Sequence, residues 1–321
     1  MPGIQIARAI AALSVMYFHS WSALDRFPKG TAYPLPVLST YGWIGVDLFF
    51  AISGFVICLV ISRPGFDPPS FLIKRAWRIY PLWLLCLTAF AILSRLWRGP
   101  TETETFGYFL WSALLLPTQQ FPYYDIGWSL QHEMAFYFMA AIIVPWFGIF
   151  GLVTALLISA LCYLTLDLPL VWKNLAMYHA EFIAGILAFL LRPKLQWVGS
   201  IIPLLTGCTL LSYLTTGYGG RALFPAALFF LIIGFANIRS GGGIITATAE
   251  KLGNASYSIY LLHPLVIVGT KVLTALIAFP IWCQEPIRWS CMAFTLALSV
   301  CSWRFFEKPT ISFSNYFTAR V

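Results

Sequence analysis

The chain has 321 residues, 60% of them hydrophobic and only 10% charged, with a net charge of +8 and a mean hydropathy of +0.80. These values exclude an ordinary soluble domain and describe a chain that crosses a membrane many times. They also argue against a nucleic-acid partner, because the basic residues lie in short stretches between apolar runs.

A spanning helix takes ~20 mostly apolar residues. Apolar runs bounded by turn signals predict ten spans, at residues 4–24, 42–62, 79–96, 127–147, 149–166, 176–191, 197–215, 222–238, 256–279 and 287–306. The expected fold is an all-α integral membrane bundle of about ten helices in one domain over residues 1–321, with no appended soluble domain. No small-residue cleavage pattern follows the first run, which therefore reads as helix one. With the N-terminus cytoplasmic, twelve Lys and Arg fall on the inner side, seven on the outer side, and Lys271 lies within a span. That bias predicts both termini inside. The seven cysteines show no C-x-x-C spacing and the four histidines no ligand spacing, so no metal site is expected.

In chain order, the first helix, "IARAIAALSVMYFHSW", carries Arg8 near its inner end and His19 near its outer end. The second, "GWIGVDLFFAISGF", carries Asp47, and the fourth, "WSLQHEMAFYF", carries Glu133. At 1.5 Å rise per residue, His19, Asp47 and Glu133 fall in one layer ~8–9 Å below the outer boundary. Ionisable groups at that depth face a bundle interior or a water-filled cavity and mark function by default. Histidine accepts a proton near neutral pH and a carboxylate orients its ring, so the set suits general-base catalysis or proton transport. The alternative is a polar cluster that ties three helices together.

Between the second and third spans, "IKRAWRIYP" carries Lys74, Arg75 and Arg78. If helical, Arg75 and Arg78 share a face, and two guanidinium forks suit phosphate or carboxylate. The competing reading is an anchor to anionic lipid headgroups. His132 and His179 lie toward the outer interface and read as packing or interfacial side chains. His263 in "SYSIYLLHPL" lines a donor tunnel or packs, and Glu307 with Lys308 in "RFFEKP" reads as a capped inner terminus.

Taken together, Arg8 with His19 at R-x10-H spacing, "GVDLFFAISGFVI", "FLIKRAWRIYPLW", "WSLQHEMAFYF", "SYSIYLLHPL" and "RFFEKP" occur in one order along almost the whole chain. In these pieces the sequence resembles the acyltransferase 3 family, membrane enzymes that O-acylate glycans and related hydroxylated acceptors in bacteria. The resemblance implies acyl-coenzyme A, by default acetyl-CoA, as donor substrate, with no permanently bound cofactor. It implies a glycan or other hydroxylated acceptor and a place in the bacterial cytoplasmic membrane. By matching positions, His19 is the catalytic histidine, with Asp47 and Glu133 in the polar interior. Arg8, Lys74, Arg75, Arg78 and His263 then serve the donor. The form implied is the stand-alone one. Two mechanisms stay open, direct attack with His19 as base and an acyl-histidine relay. A proton-coupled secondary transporter using the same His, Asp and Glu is the rival from another class. Gly and Pro interruptions that recur in two halves would favour it, and none recur in register.

Overall fold

The computed structural model describes residues 1–21, 34–99, 105–117, 119–167, 169–215, 223–238, 242–277 and 279–318. Several basic residues behind the orientation argument, Arg26, Lys29, Arg221, Arg239 and Arg320, lie outside the described residues. So do parts of the two long connections at residues 25–41 and 97–126. Among the described residues the chain is helical and has no strand.

The helices are α1 (Pro2–Ser20), α2 (Pro36–Tyr41), α3 (Ile44–Ile61), α4 (Pro68–Arg98), α5 (Phe106–Ala113), α6 (Trp128–Thr165) and α7 (Leu170–Ala176). They continue with α8 (His179–Leu195), α9 (Ile201–Thr215), α10 (Phe224–Asn237), α11 (Ile244–Asn254), α12 (Ser256–Leu276), α13 (Gln284–Ser302) and α14 (Lys308–Thr318). Among the described residues, five stretches are long and apolar enough to cross a membrane, at Ile44–Ile61, Pro68–Leu96, Asp125–Thr165, Leu170–Val198 and Ser256–Ala275. The ten-span reading counts α1, α9, α10 and α13 in addition and divides α6 in two. Large apolar side chains such as Trp146, Phe150, Trp197 and Leu96 stand almost fully exposed, as a lipid-facing surface requires.

The division of α6 has a local cause. Gly148 sits at φ 63° and ψ −167°, three residues after Pro145, and interrupts the helix. That backbone region is open to glycine alone, and proline removes a ladder hydrogen bond nearby. At α4 the structure departs from expectation, since the helix starts at Pro68 and not at 79. Asp67 caps it by accepting from the Ser70 N–H at 2.9 Å, and prolines occupy the first turn. These hydrogen bonds from Ser70 hold the exposed Asp67 carboxyl below the usual carboxylate range. The 31-residue helix is ~46 Å long, so its basic first turns project past a ~30 Å hydrocarbon layer.

Helix α1 runs through the middle of the bundle, touching α3, α10, α11, α12 and α13. The tightest seam joins α3 to α8. A Cβ at Gly185 would stand 1.8 Å from the Ala51 carbonyl oxygen, and one at Gly54 would stand 2.2 Å from that of Phe182. Glycines on both helices let the two backbones close to direct contact. Gly185→Leu is therefore expected to push α3 and α8 apart. A loss of several degrees in detergent melting temperature checks this, and an unchanged melt would show the seam to be dispensable.

Two further residues differ from their sequence reading. Arg288, one of the seven basic residues counted on the outer side, is fully buried. Its guanidinium lies 4.3–4.8 Å from the ring centres of Tyr17, Trp21 and Trp289 and bonds Glu285 at 2.6 Å. Cation–π contact with three rings offsets its desolvation and locks α13 to α1. Glu307 is not a terminus. A π-turn at Trp303–Glu307 carries it inward, where it is buried and accepts from the Ser258 hydroxyl, and α14 continues beyond it.

Candidate active site

Because α4 begins early, Lys74, Arg75 and Arg78 are all helical, and Arg75 and Arg78 share a face. With Arg63 they line a bowl of about 650 Å³ at the end of the bundle that Arg8 occupies. The Arg75 guanidinium lies over the rings of Phe71 and Tyr137, 5.5 and 5.2 Å from their centres, which holds its planar fork in place.

Arg75 and Arg78 also line the next chamber, which narrows to about 90 Å³ and includes Arg8, Ser53, Glu133 and Tyr137 in its wall. Here Glu133 Oε1 accepts from Ser53 Oγ at 2.9 Å and from the Tyr137 hydroxyl one turn along α6. Three guanidiniums and one carboxylate therefore share a small chamber.

Val46 and Tyr260 line both this waist and a third, wide chamber of about 760 Å³. The Tyr260 hydroxyl is hydrogen-bonded to Ser129 Oγ at 2.7 Å, and the ring forms part of the partition. His19, Asp47, Asp125 and Lys271 line the wide chamber. One line of cavities thus runs from an exposed basic bowl, past the arginines, to a histidine at the opposite end.

His19 Nδ1 lies 3.0 Å from His263 Nε2, and the two rings stack 5.1 Å apart. His263 Nδ1 lies 3.1 Å from the Ile259 carbonyl oxygen. A carbonyl only accepts, so His263 carries its proton on Nδ1 and presents a lone pair at Nε2. His19 Nδ1–H then donates to it, which makes Nε2 the basic nitrogen of a neutral His19. Pro264 follows directly in α12, and the Tyr124 hydroxyl donates to the Leu261 carbonyl at 2.6 Å in the same loosened turn.

The site residues expected from sequence fall into two groups that differ from the expected ones. His19 and Asp47 share the wide chamber, but Glu133 lies with Arg8, Arg75 and Arg78. Helix starts explain the difference. Asp47 stands in the first turn of α3, whereas a 3-10 turn at Asp125–Gly127 leads into α6, so Glu133 lies eight residues, or ~12 Å, beyond the start of that helical stretch. Ser53, which donates to Glu133, likewise lies six residues, or ~9 Å, deeper along α3 than Asp47. His263, grouped by sequence with the donor-side residues, is instead the direct partner of His19. Lys74 stays in the outer part of the basic bowl. Sequence reasoning missed Tyr137, Tyr260, Asp125, Arg63 and the pairing of Lys271 with the His19 chamber. Tyr137 at i+4 from Glu133 and Lys271 at i+8 from His263 were the available signals.

The family model described as an acyltransferase domain matches residues 1–303. The exopolysaccharide production protein ExoZ of Rhizobium meliloti (strain 1021) is 29% identical over 256 residues, covering 71% of this chain and 77% of its own. BcsY of Komagataeibacter xylinus, named a "putative membrane-bound transacylase", is 26% identical over 348 residues, covering 91% and 86%. No solved structure matches the chain. The match over nearly the whole length, on a helical chain rich in membrane-compatible segments, places this protein in the acyltransferase 3 family of membrane acyltransferases.

Proposed function

We propose that this protein moves an acyl group, by default acetyl, from acyl-coenzyme A at the Arg8 end to a hydroxyl of a glycan at the His19 end. In this reading ten spans cross the bacterial cytoplasmic membrane, both termini are cytoplasmic, and the basic bowl faces the cytoplasm. The observation that carries it is the shape and chemistry of the cavity line. Two wide chambers of about 650 and 760 Å³ are joined by a waist of about 90 Å³. Arg75 and Arg78 line both the bowl and this small chamber, and Val46 and Tyr260 line both it and the wide chamber, which gives a thin pantetheine arm a path between the two ends.

The donor's phosphates meet Arg63, Lys74, Arg75 and Arg78 in the bowl, where guanidiniums bind them bidentately. Glu133 acts on this side, as the carboxylate that keeps the arginines of the waist from repelling one another. The thioester reaches the partition at Val46 and Tyr260 and meets the acceptor in the wide chamber. His19 Nε2 takes the proton of the acceptor hydroxyl as its oxygen attacks the thioester carbonyl. The C–S bond then breaks, and the departing thiolate takes that proton from the His19 imidazolium. His263 is a positioning residue that fixes the His19 tautomer, and Asp47 and Asp125 favour the transient imidazolium in the same chamber. The names of ExoZ and BcsY, one tied to exopolysaccharide and one to transacylation, support a polysaccharide acceptor.

Membranes containing the protein, given acetyl-CoA labelled in its acetyl group and a glycan lipid extract, are expected to move label into the glycan fraction. Label that stays entirely on acetyl-CoA in every extract would overturn the reading.

A further inference from the structure

As the acceptor oxygen bonds to the thioester carbonyl carbon, the C=O electron pair moves onto the carbonyl oxygen. It returns when the C–S bond breaks. A hydrogen-bond donor fixed beside that oxygen stabilises the charge while it lasts. The thioester passes from the waist into the wide chamber, so the donor must stand where the two meet. Arg8, Arg75 and Arg78 line the waist but not the wide chamber. Lys271 lines the wide chamber, but eleven residues, or ~16 Å, beyond Tyr260 along α12. Among the described residues Val46 and Tyr260 line both spaces, and of these only Tyr260 has a side-chain donor.

The Tyr260 ring is buried and held edge-on to Phe49, and it lies 6.0 Å from the ring of His263, three residues along the same face of α12. Its hydroxyl stands 2.7 Å from Ser129 Oγ. Both hydroxyls reach toward one acceptor, the Ile126 carbonyl, at 3.2 Å from Ser129 and 3.4 Å from Tyr260. Each hydroxyl has one proton to give and can accept in return. When Ser129 donates to Ile126, Tyr260 donates to Ser129. When Ser129 turns its proton onto the Tyr260 oxygen, the Tyr260 proton is freed for a third partner, and the accepted bond makes it a stronger donor. A developing oxyanion favours this second arrangement through a charge-assisted bond.

One turn earlier on the same face of α12, Ser256 lines the waist. It is fully buried, and its hydroxyl has no hydrogen-bond partner among the described residues. A buried hydroxyl in that condition is costly unless a ligand completes it. Ser256 and Tyr260 are ~6 Å apart along the helix axis. In a pantetheine thioester two methylenes and the sulfur separate the last amide from the carbonyl, which is a similar length. An arm whose last amide bonds Ser256 therefore brings its thioester to the level of Tyr260.

We infer that the Tyr260 hydroxyl is the donor that stabilises the oxyanion of acyl transfer, with Ser129 behind it as a positioning residue and Ser256 setting the register of the arm. The inference rests on the acyl-transfer reading. Equal amounts of wild type, Tyr260→Phe and Ser256→Ala in membranes are given acetyl-CoA labelled in its acetyl group and the glycan lipid extract, and kcat and donor KM are read from label in the glycan fraction. Tyr260→Phe keeps the ring, and Ser129 keeps its bond to Ile126, so the variant is expected to melt as the wild type does. It should lose ~10²–10³-fold in kcat with donor KM nearly unchanged, the cost of one oxyanion donor. Ser256→Ala should raise the donor KM about 2- to 13-fold at unchanged kcat, as loss of one neutral hydrogen bond does. A wild-type kcat in Tyr260→Phe, or a loss confined to its KM, overturns the oxyanion role and leaves the acyl-transfer reading standing. An unchanged donor KM in Ser256→Ala overturns the register. No label in the glycan fraction with the wild type sinks the acyl-transfer reading and the oxyanion role with it.

Discussion

His19→Ala is expected to lower acyl transfer by ~10²–10⁴-fold while the protein still inserts and melts as the wild type does, since that is the range a positioned general base supplies. The size of the effect follows from the tautomer. With Nδ1–H committed to His263 and the proton of His263 committed to the Ile259 carbonyl, the basic Nε2 of His19 is the nitrogen able to take a hydroxyl proton. No other histidine lines the wide chamber. His263→Ala is the informative companion. It removes one neutral hydrogen bond, ~0.5–1.5 kcal/mol, and should cost about 2- to 13-fold in kcat with KM for the donor nearly unchanged. The check is label transfer from acetyl-CoA at saturating donor, together with donor KM, for each variant. Full activity of His19→Ala would remove the base role. A rise in donor KM for His263→Ala would return that residue to the donor side, where the sequence alone had placed it.

Arg75→Ala combined with Arg78→Ala should raise the apparent KM for acyl-CoA by roughly 100-fold or more, because two charge-assisted contacts to phosphate are lost at ~1.5–3 kcal/mol each. Both arginines line the bowl and the waist, so they stand where the donor's anionic head gives way to its thin arm. The effect on kcat at saturating donor should be small, since neither arginine lines the His19 chamber. Salt offers an independent reading, because screening weakens the wild-type affinity more than that of the double variant. Unchanged affinity in the double variant would leave the pair as an anchor to anionic headgroups.

Much of this site was legible without coordinates. The apolar runs located helices throughout, because hydrophobicity is a local property that a window of residues reports directly. Counting along α1 separated Arg8 from His19 by ~16 Å, and the structure places Arg8 in the small middle chamber and His19 in the wide one next to it. Arg75 and Arg78 could be paired from their spacing alone. The start of α4 at Pro68 was readable as well, from Asp67 followed by two prolines and a serine, but the basic turn masked it as a loop.

Partners across the bundle were not readable in this way. Depth follows from counting, but which side of a helix faces which neighbour depends on rotation and packing. Glu133 matched His19 in depth on paper and joined the arginines in the fold, because Ser53 and Tyr137 donate to it there. His263 joined His19 although 244 residues separate them. Arg288 found three aromatic rings contributed by α1, its following residue Trp21 and α13, and a π-turn that no spacing rule announces brought Glu307 inside. The sequence by itself determined a helical membrane protein, its family, and the two polar ends of α1, since those rest on composition and order along the chain. Only the tertiary structure decided which nitrogen of His19 meets His263 and which carboxylate lines which chamber, since those depend on contacts between helices.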